Sequence, residues 1–546
     1  MKSKSSVSYA LKLLNSNKLI EGRKVLDQIL LDTPTNIDAH QLMVKLGFIS
    51  KDFNLAEKYL TALIEFQPMS EHYIKLLVDL YSHQNRWKDI SVLQLGLARK
   101  QPENATIQFN CAYYLKLSGE FNNAITFYKK ALELGIDDDY EIYLNIAIIY
   151  SEHLSMPERA IEILTLGINK YPDQDLLLYN LGNIYEQLGN KEQAKSMFKL
   201  SFSKNPKNYD ALARQADIYK FKTKDDDLIS KMESVFKSST VDAIDKINIA
   251  YALGKSYDDC TEYSLASQYY QLANEFDQKT LPLYDPVKYE QYIDNTINVF
   301  NKNWFDSFEA PTLTSLSKPP IFICGMFRSG STLCEQILAA HSHISNGGEQ
   351  EFFHRSMSCN YPNYPFNTSD HFSENKKQLL KAYEDEIKKH HKTGVQLTDK
   401  RPDNFLYLGL IKALMPNAKI IWTQRNMLDN CLSVYFLRLG KSMPYSTKIE
   451  NIVHFYKQQE KLMNHWNSLF SDDIHQFIYD ELINSPEEHI RGMLNFLDLP
   501  WQNECLHFHE VKNQVKTASV WQVRQPLYKS SSQRWKNYET IIEKFI

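Results

Sequence analysis

Between Pro320 and His341 the chain reads PIFICGMFRSGSTLCEQILAAH, a run whose residue types suit the capture of an anion. Ile321 to Cys324 has the length and apolarity of a short buried strand, and Gly325 to Ser331 reads as a loop. Ser331 to His341 predicts a helix with Leu333, Ile337 and Leu338 on its inner face. At such a junction the unpaired N–H groups of the first helical turn converge where the helix dipole is positive. A phosphate is the natural guest.

Gly325, Gly330 and Thr332 fall on the nucleotide-binding pattern GxxxxGK[ST], but Ser331 stands where that pattern has its lysine. The lysine and Mg²⁺ neutralise charge on the β- and γ-phosphates during phosphoryl transfer. A sulfuryl group carries less negative charge, so its transfer can proceed without the metal. The string FRSGST resembles the 5′-phosphosulfate loop of sulfotransferases that use 3′-phosphoadenosine-5′-phosphosulfate (PAPS). Further on, in AKIIWTQRNMLDNCLSVYF, Arg425 at a strand end and Ser433 eight residues later resemble that family's 3′-phosphate motif. Arginine suits a phosphate because its planar fork donates twice.

Within the family the chain is most similar to the tyrosylprotein-sulfotransferase-like branch and to bacterial proteins that fuse repeats to such a domain. The resemblance implies a donor site built from Arg328, Ser329, Gly330, Ser331 and Thr332 in the loop, joined by Arg425, Ser433, Tyr479 and Arg534. Ser530 to Ser532 could add hydroxyls to the closing segment, and Tyr479 reads equally as a buried tyrosine at a sheet end. It also implies that Glu349, in the gapless stretch LAAHSHISNGGEQEFF, takes the acceptor's proton, and that Lys400 and Ser519 stabilise the transition state. Glu351 is the competing base; Arg401 is a rival to Lys400 or the partner of a nearby carboxylate. No metal is expected. In the tyrosylprotein branch, arginines just past the glutamate read acidic residues around the target tyrosine. Here Glu351 occupies one such place and only Arg355 matches another, so the acceptor stays open between a protein tyrosine, a sugar and a small molecule.

The elements that carry these residues divide the chain. Pro34, Pro68 and Pro102 are 34 apart, as are Pro172 and Pro206. Twelve positions before each expected proline stands Gly22, Ala56, Ile90, Ala124, Ala160 or Ala194, with one gap of 36 that marks a two-residue insertion near Ser151 to Met156. From Asp175 to Pro206, Leu181, Gly182, Tyr185, Ala194, Phe198 and Pro206 resemble the tetratricopeptide repeat (TPR) at positions 7, 8, 11, 20, 24 and 32. Leu253, Gly254, Tyr257, Ala266, Tyr270 and Ala273 repeat the pattern, and about eight units run from near residue 5 to about 278. These are core positions: small residues let two helices approach and the aromatic fills the gap to the next pair. Function in a solenoid comes from its exposed groove, a surface for a peptide or protein partner.

After about residue 305 the period is lost, and APTLTSLSKPP (Ala310 to Pro320) reads as a linker. The runs PIFICG, AKIIWTQR and HQFIYDEL then predict a mainly parallel α/β sheet. The expected organisation is an α-solenoid over residues 1–280, a connection over 281–318 and an α/β domain over 319–546. With 62 Lys plus Arg against 66 Asp plus Glu, the net charge of −4 offers no chain-wide field for nucleic acid, so an anion site must be local. No apolar run is long enough to span a membrane, no secretory signal is visible, and seven scattered cysteines fit reduced thiols in the cytoplasm. The rival functions are a Mg²⁺-dependent phosphotransferase or NTPase, and a TPR scaffold whose α/β domain binds nucleotide without catalysis.

Overall fold

Proline stops one repeat helix and, two positions on, a capping residue starts the next. Pro34, Pro102 and Pro206 follow helix ends at Asp32, Lys100 and Lys204, and Asn36, Asn104 and Asn208 then accept from the N–H groups of Ala39, Ile107 and Ala211. The computed structural model describes residues 6–137, 139–313, 316–361, 364–366, 370–388 and 395–545. They form two compact units, Met1–Pro172 and Asp173–Ile546.

In Met1–Pro172 the helices run in consecutive pairs, from Val7–Asn15 and Leu19–Asp32 to Tyr140–Ile148 and Pro157–Lys170. The expected insertion is taken up by a turn of π-helix, Ile149–His153, which widens one turn without breaking the helix. Ala56, Ile90, Ala124 and Ala160 are fully buried between helices.

Asp173–Ile546 begins with three more pairs: Asp175–Gln187 with Lys191–Lys204, Tyr209–Ile218 with Asp227–Lys237, and Ala243–Asp259 with Tyr263–Gln278. The small-residue rule has a direct steric basis here. A Cβ on Gly182 would lie 2.7 Å from the Phe198 ring, and one on Gly254 would lie 2.7 Å from the Tyr270 ring. Gly254→Ala is therefore expected to lower stability by about 1–3 kcal/mol, read as a shift in the denaturation midpoint; an unchanged midpoint would mean the helix pair can widen freely.

The α/β layer has five parallel strands in the order β2-β3-β1-β4-β5, where β1 is Ile321–Gly325, β2 Ile344–Ser345, β3 Gln396–Lys400, β4 Ile420–Gln424 and β5 Ile474–Ile478. Strands β1, β4 and β5 lie on the three apolar runs. Strand β3 reads QLTDK and carries no such run, yet Leu397 to Lys400 are all buried because central position, not hydropathy, put them inside. Alternate residues of β1 face two cores: Phe322 and Cys324 one, Ile321 and Ile323 the other. The first core is continuous with the repeat helices, joining Leu253 and Tyr270 to Phe436 and Tyr538. Tyr270 and Phe436 stack with centroids 4.0 Å apart.

Among the described residues no helix is long and apolar enough to cross a membrane. Six cysteines are free thiols, five of them buried; the side chain of Cys359 lies outside the described residues, as do Thr314 and Ser315 of the linker.

Candidate active site

The chain leaves β1 for β2 on one side and later returns to β4 on the other, so the carboxyl ends of β1 and β4 form a switch point, where open α/β sheets bind ligands. A cleft of about 120 Å³ opens there, lined by Arg328, Arg425, Ser433, Tyr479, Ser519 and Arg534 among others.

The loop after β1 is tied down at its base. Ser329 Oγ donates to the Met326 carbonyl at 2.6 Å and shares a hydrogen bond with Thr423 Oγ1 of β4 at 2.7 Å. The close approach requires Gly325, where a Cβ would lie 2.4 Å from the Thr423 carbonyl oxygen. Arg328 has φ +68, a left-handed conformation costing a non-glycine residue about 1–2 kcal/mol. It turns the guanidinium into the cleft, where Nε donates to Ser433 Oγ at 3.1 Å and Nη1 donates to Ser519 Oγ. Gly330, φ +104, caps the helix Ser331–Ala339 with no side-chain hydrogen bond, so the N–H groups of its first turn stay open to an anion. Ser331 and Thr332 occupy that turn, and Thr332 Oγ1 meets Thr517 Oγ1 at 3.1 Å.

Arg425 follows β4. Its Nη2 donates to the Ser531 carbonyl at 2.6 Å and its guanidinium lies 5.1 Å from the Tyr479 ring centroid, while its buried Nε has no hydrogen-bond partner. Asn426 caps the helix Met427–Tyr435, which carries Ser433. Tyr479 follows β5, and its hydroxyl meets Ser531 Oγ at 2.5 Å. The closing segment is held by carboxylates. Asp429 accepts from the N–H groups of Gln533 at 2.6 Å and Trp535 at 2.9 Å, and Asp480 accepts from Ser532 Oγ at 3.0 Å. Arg534 pairs with Asp258 of a repeat helix at 2.7 Å.

Three arginines thus share one cleft. Burial first, and then the neighbouring Arg425, push the Arg328 guanidinium down to about 10. Crowded like charges in a partly dry site are relieved by a bound anion, and the partnerless Arg425 Nε is a donor that such an anion would satisfy.

Beside the cleft, at the end of β3, Lys400 is 1% exposed and donates from Nζ to Glu349 Oε1 at 2.5 Å. Lys400 pairs in register with Ile323 of β1, which sets this ion pair next to the root of the anion loop. The Glu349 turn is built by close packing: a Cβ on Gly347 would lie 2.0 Å from the Thr398 carbonyl oxygen.

Of the residues expected in the site, Arg328, Gly330, Arg425, Ser433, Tyr479, Ser519 and Arg534 line the cleft, and Lys400 and Glu349 form the adjacent pair. The Ser329 hydroxyl points into the loop rather than the cleft. Arg401 pairs with Asp403 at 2.6 Å and Glu351 at 3.4 Å, and Arg355 pairs with Glu386 at 2.5 Å.

Several supporting groups carried no sequence signal. Glu335, on the helix after the loop, is 3% exposed; it accepts from Thr398 Oγ1 at 2.8 Å and the Gly348 N–H at 3.0 Å, fixing the turn before Glu349. Burial pushes its carboxyl up against the opposing pull of Lys400. Asp429, Asp480 and Asp258 clamp the closing segment, and Tyr528 adds a wall.

Residues 319–503 match the model of a sulfotransferase family, and residues 105–134 and 177–208 match a tetratricopeptide repeat model. The chain is 28% identical over 544 residues to a protein of Aquifex aeolicus (strain VF5) named only "Uncharacterized protein", covering 89% of this chain and 70% of that one. It is 31% identical over 199 residues to a Caenorhabditis briggsae protein named "Putative protein-tyrosine sulfotransferase", covering 35% of this chain and 69% of that one. A "Protein-tyrosine sulfotransferase" of Drosophila melanogaster is 25% identical over 223 residues, 36% of this chain and 41% of that one.

Proposed function

Since the chain belongs to the sulfotransferase family, we propose that it moves a sulfuryl group from PAPS to an acceptor hydroxyl. The observation that carries the reading is the meeting of Arg328, Arg425 and Arg534 in one cleft beside an open helix N-terminus. The residues present fit a donor with phosphate at two places. Arg328 and the first turn at Ser331 and Thr332 would hold its 5′ end, Arg425 and Ser433 its 3′-phosphate, and Tyr479 and Arg534 would border the nucleotide. The donor supplies a sulfuryl group on a phosphate leaving group.

The chain's own residues then act on the proton and the charge. Lys400 engages Glu349 Oε1, which leaves the other carboxylate oxygen to take the acceptor's proton as its oxygen attacks sulfur. Arg328, Lys400 and Ser519 stabilise charge that develops on the donor phosphate and bridging oxygen. Ser329 contributes by holding the loop on Thr423. Because Arg355 and Arg401 already face carboxylates, they offer an acidic peptide little free positive charge, and a protein tyrosine is one acceptor among other hydroxyls. The repeats of Met1–Pro172 recruit the acceptor or a partner chain through their groove.

Calorimetry with adenosine 3′,5′-bisphosphate and with ATP, both without metal, tests the assignment. The bisphosphate is expected to bind and ATP to bind at least about tenfold more weakly, the deficit of a missing charged partner. Tight binding of ATP alone would sink the reading.

A further inference from the structure

The segment that carries Ser519 is seated on the repeat helices. At one end the Val515 N–H donates to the Gln187 carbonyl at 2.9 Å. At the other, the Arg524 guanidinium donates to the carbonyls of Gln187 at 3.2 Å, Val511 at 2.6 Å and Asn513. Gly189 leaves room for it: with φ +80, a Cβ there would lie 2.9 Å from Arg524 Nε. Between these anchors Trp521 packs against the buried cluster of Ala194, Phe198 and Ile218 of the repeats. Its indole Nε1 donates to Glu186 Oε1 at 2.8 Å. Glu186 is 2% exposed, and its other oxygen accepts from Arg214. Ser519 is two residues from Trp521, in a turn closed by the Val523 N–H on the Ser519 carbonyl at 3.1 Å.

We infer that Glu186 is a positioning residue of the donor cleft: through Trp521 it holds the 511–524 segment so that Ser519 meets Arg328. A hydrogen bond from an indole to a buried carboxylate is charge-assisted and directional, so it fixes the turn where apolar packing alone would let it slide. This stretch of the repeats therefore holds the chain's own segment rather than a separate peptide. The cleft is assembled from three anchors on repeat helices: Glu186 with Trp521, Asp258 with Arg534, and Asn274 with the Tyr435 carbonyl at 2.8 Å at the end of the Ser433 helix. The inference rests on the sulfuryl-transfer reading for its role in donor binding, but not for the brace itself.

The test uses the full chain, with hydrogen exchange over residues 511–527 and the Kd of adenosine 3′,5′-bisphosphate. Glu186→Ala is expected to speed exchange there and to raise Kd, each by about tenfold, with exchange over 320–340 unchanged. Glu186→Gln keeps an oxygen for the indole but loses the charge it shares with Arg214, so its effect should be intermediate, about threefold from the parent chain. Should Glu186→Ala fail to fold, Trp521→Phe keeps an aromatic ring in the apolar cluster while removing the N–H and the rest of the indole; about fivefold effects are expected. Unchanged exchange and affinity in Trp521→Phe, or a loss in Glu186→Gln equal to that in Glu186→Ala, overturns the inference. If the parent chain binds no bisphosphate, the sulfuryl-transfer reading falls while the exchange comparison still decides the brace.

Discussion

Glu349→Gln is expected to cut sulfuryl transfer by about 10²–10⁴-fold while leaving the affinity for adenosine 3′,5′-bisphosphate unchanged. Glutamine is the informative replacement. Lys400 is almost wholly buried and its Nζ donates to Glu349, so alanine would strand that ammonium and mix a folding defect with a catalytic one. Glutamine keeps an oxygen for Lys400, so the ammonium retains a hydrogen-bond partner though not its counter-charge, and it removes the capacity to take a proton. Single-turnover transfer with bound donor separates the outcomes. Retained transfer would move the base elsewhere, first to Glu351, which is 67% exposed and already faces Arg401 at 3.4 Å.

Arg425→Ala should have the largest effect on donor affinity, weakening the bisphosphate by about 30-fold or more, because a buried phosphate partner is lost. Arg425→Lys should rescue little of it, since an ammonium cannot reproduce the planar fork that reaches the Ser531 carbonyl while leaving Nε for a ligand. ATP, which lacks the 3′-phosphate, serves as the control and should be far less sensitive. Calorimetry at equal ionic strength decides it, and equal affinities for parent and variant reject the 3′-phosphate role.

What could be read before the structure is what short-range chemistry decides. Proline followed two positions later by asparagine sets helix ends within one repeat, and Gly182 needs Phe198 only sixteen residues away. The strand, glycine loop and helix N-terminus from Ile321 to Ala339 are one continuous segment, so their joint geometry was legible. Strand β3 was not, because its polar residues are buried by the strands beside it and Lys400 is satisfied by Glu349 across 51 positions. The clamps escaped for the same reason: Asp429 meets Gln533 across 104 positions, and Glu186 meets Trp521 across 335. Ser329 shows both sides. Its motif position is legible in the sequence, whereas the bond of its hydroxyl to Thr423, 94 positions away, is one that only strand order reveals.

The shared core between the last repeat helices and the α/β layer restricts how such a protein can change its length over evolutionary time. Each helix pair within Met1–Pro172 packs mainly on the pairs next to it in sequence, as in other repeat stacks. Duplicating or deleting a pair between Asp175 and Gln278 would shift Glu186, Asp258 and Asn274 out of reach of Trp521, Arg534 and Tyr435 together. The helix pairs between Asp175 and Gln278 must therefore keep their number and spacing for these three contacts to form.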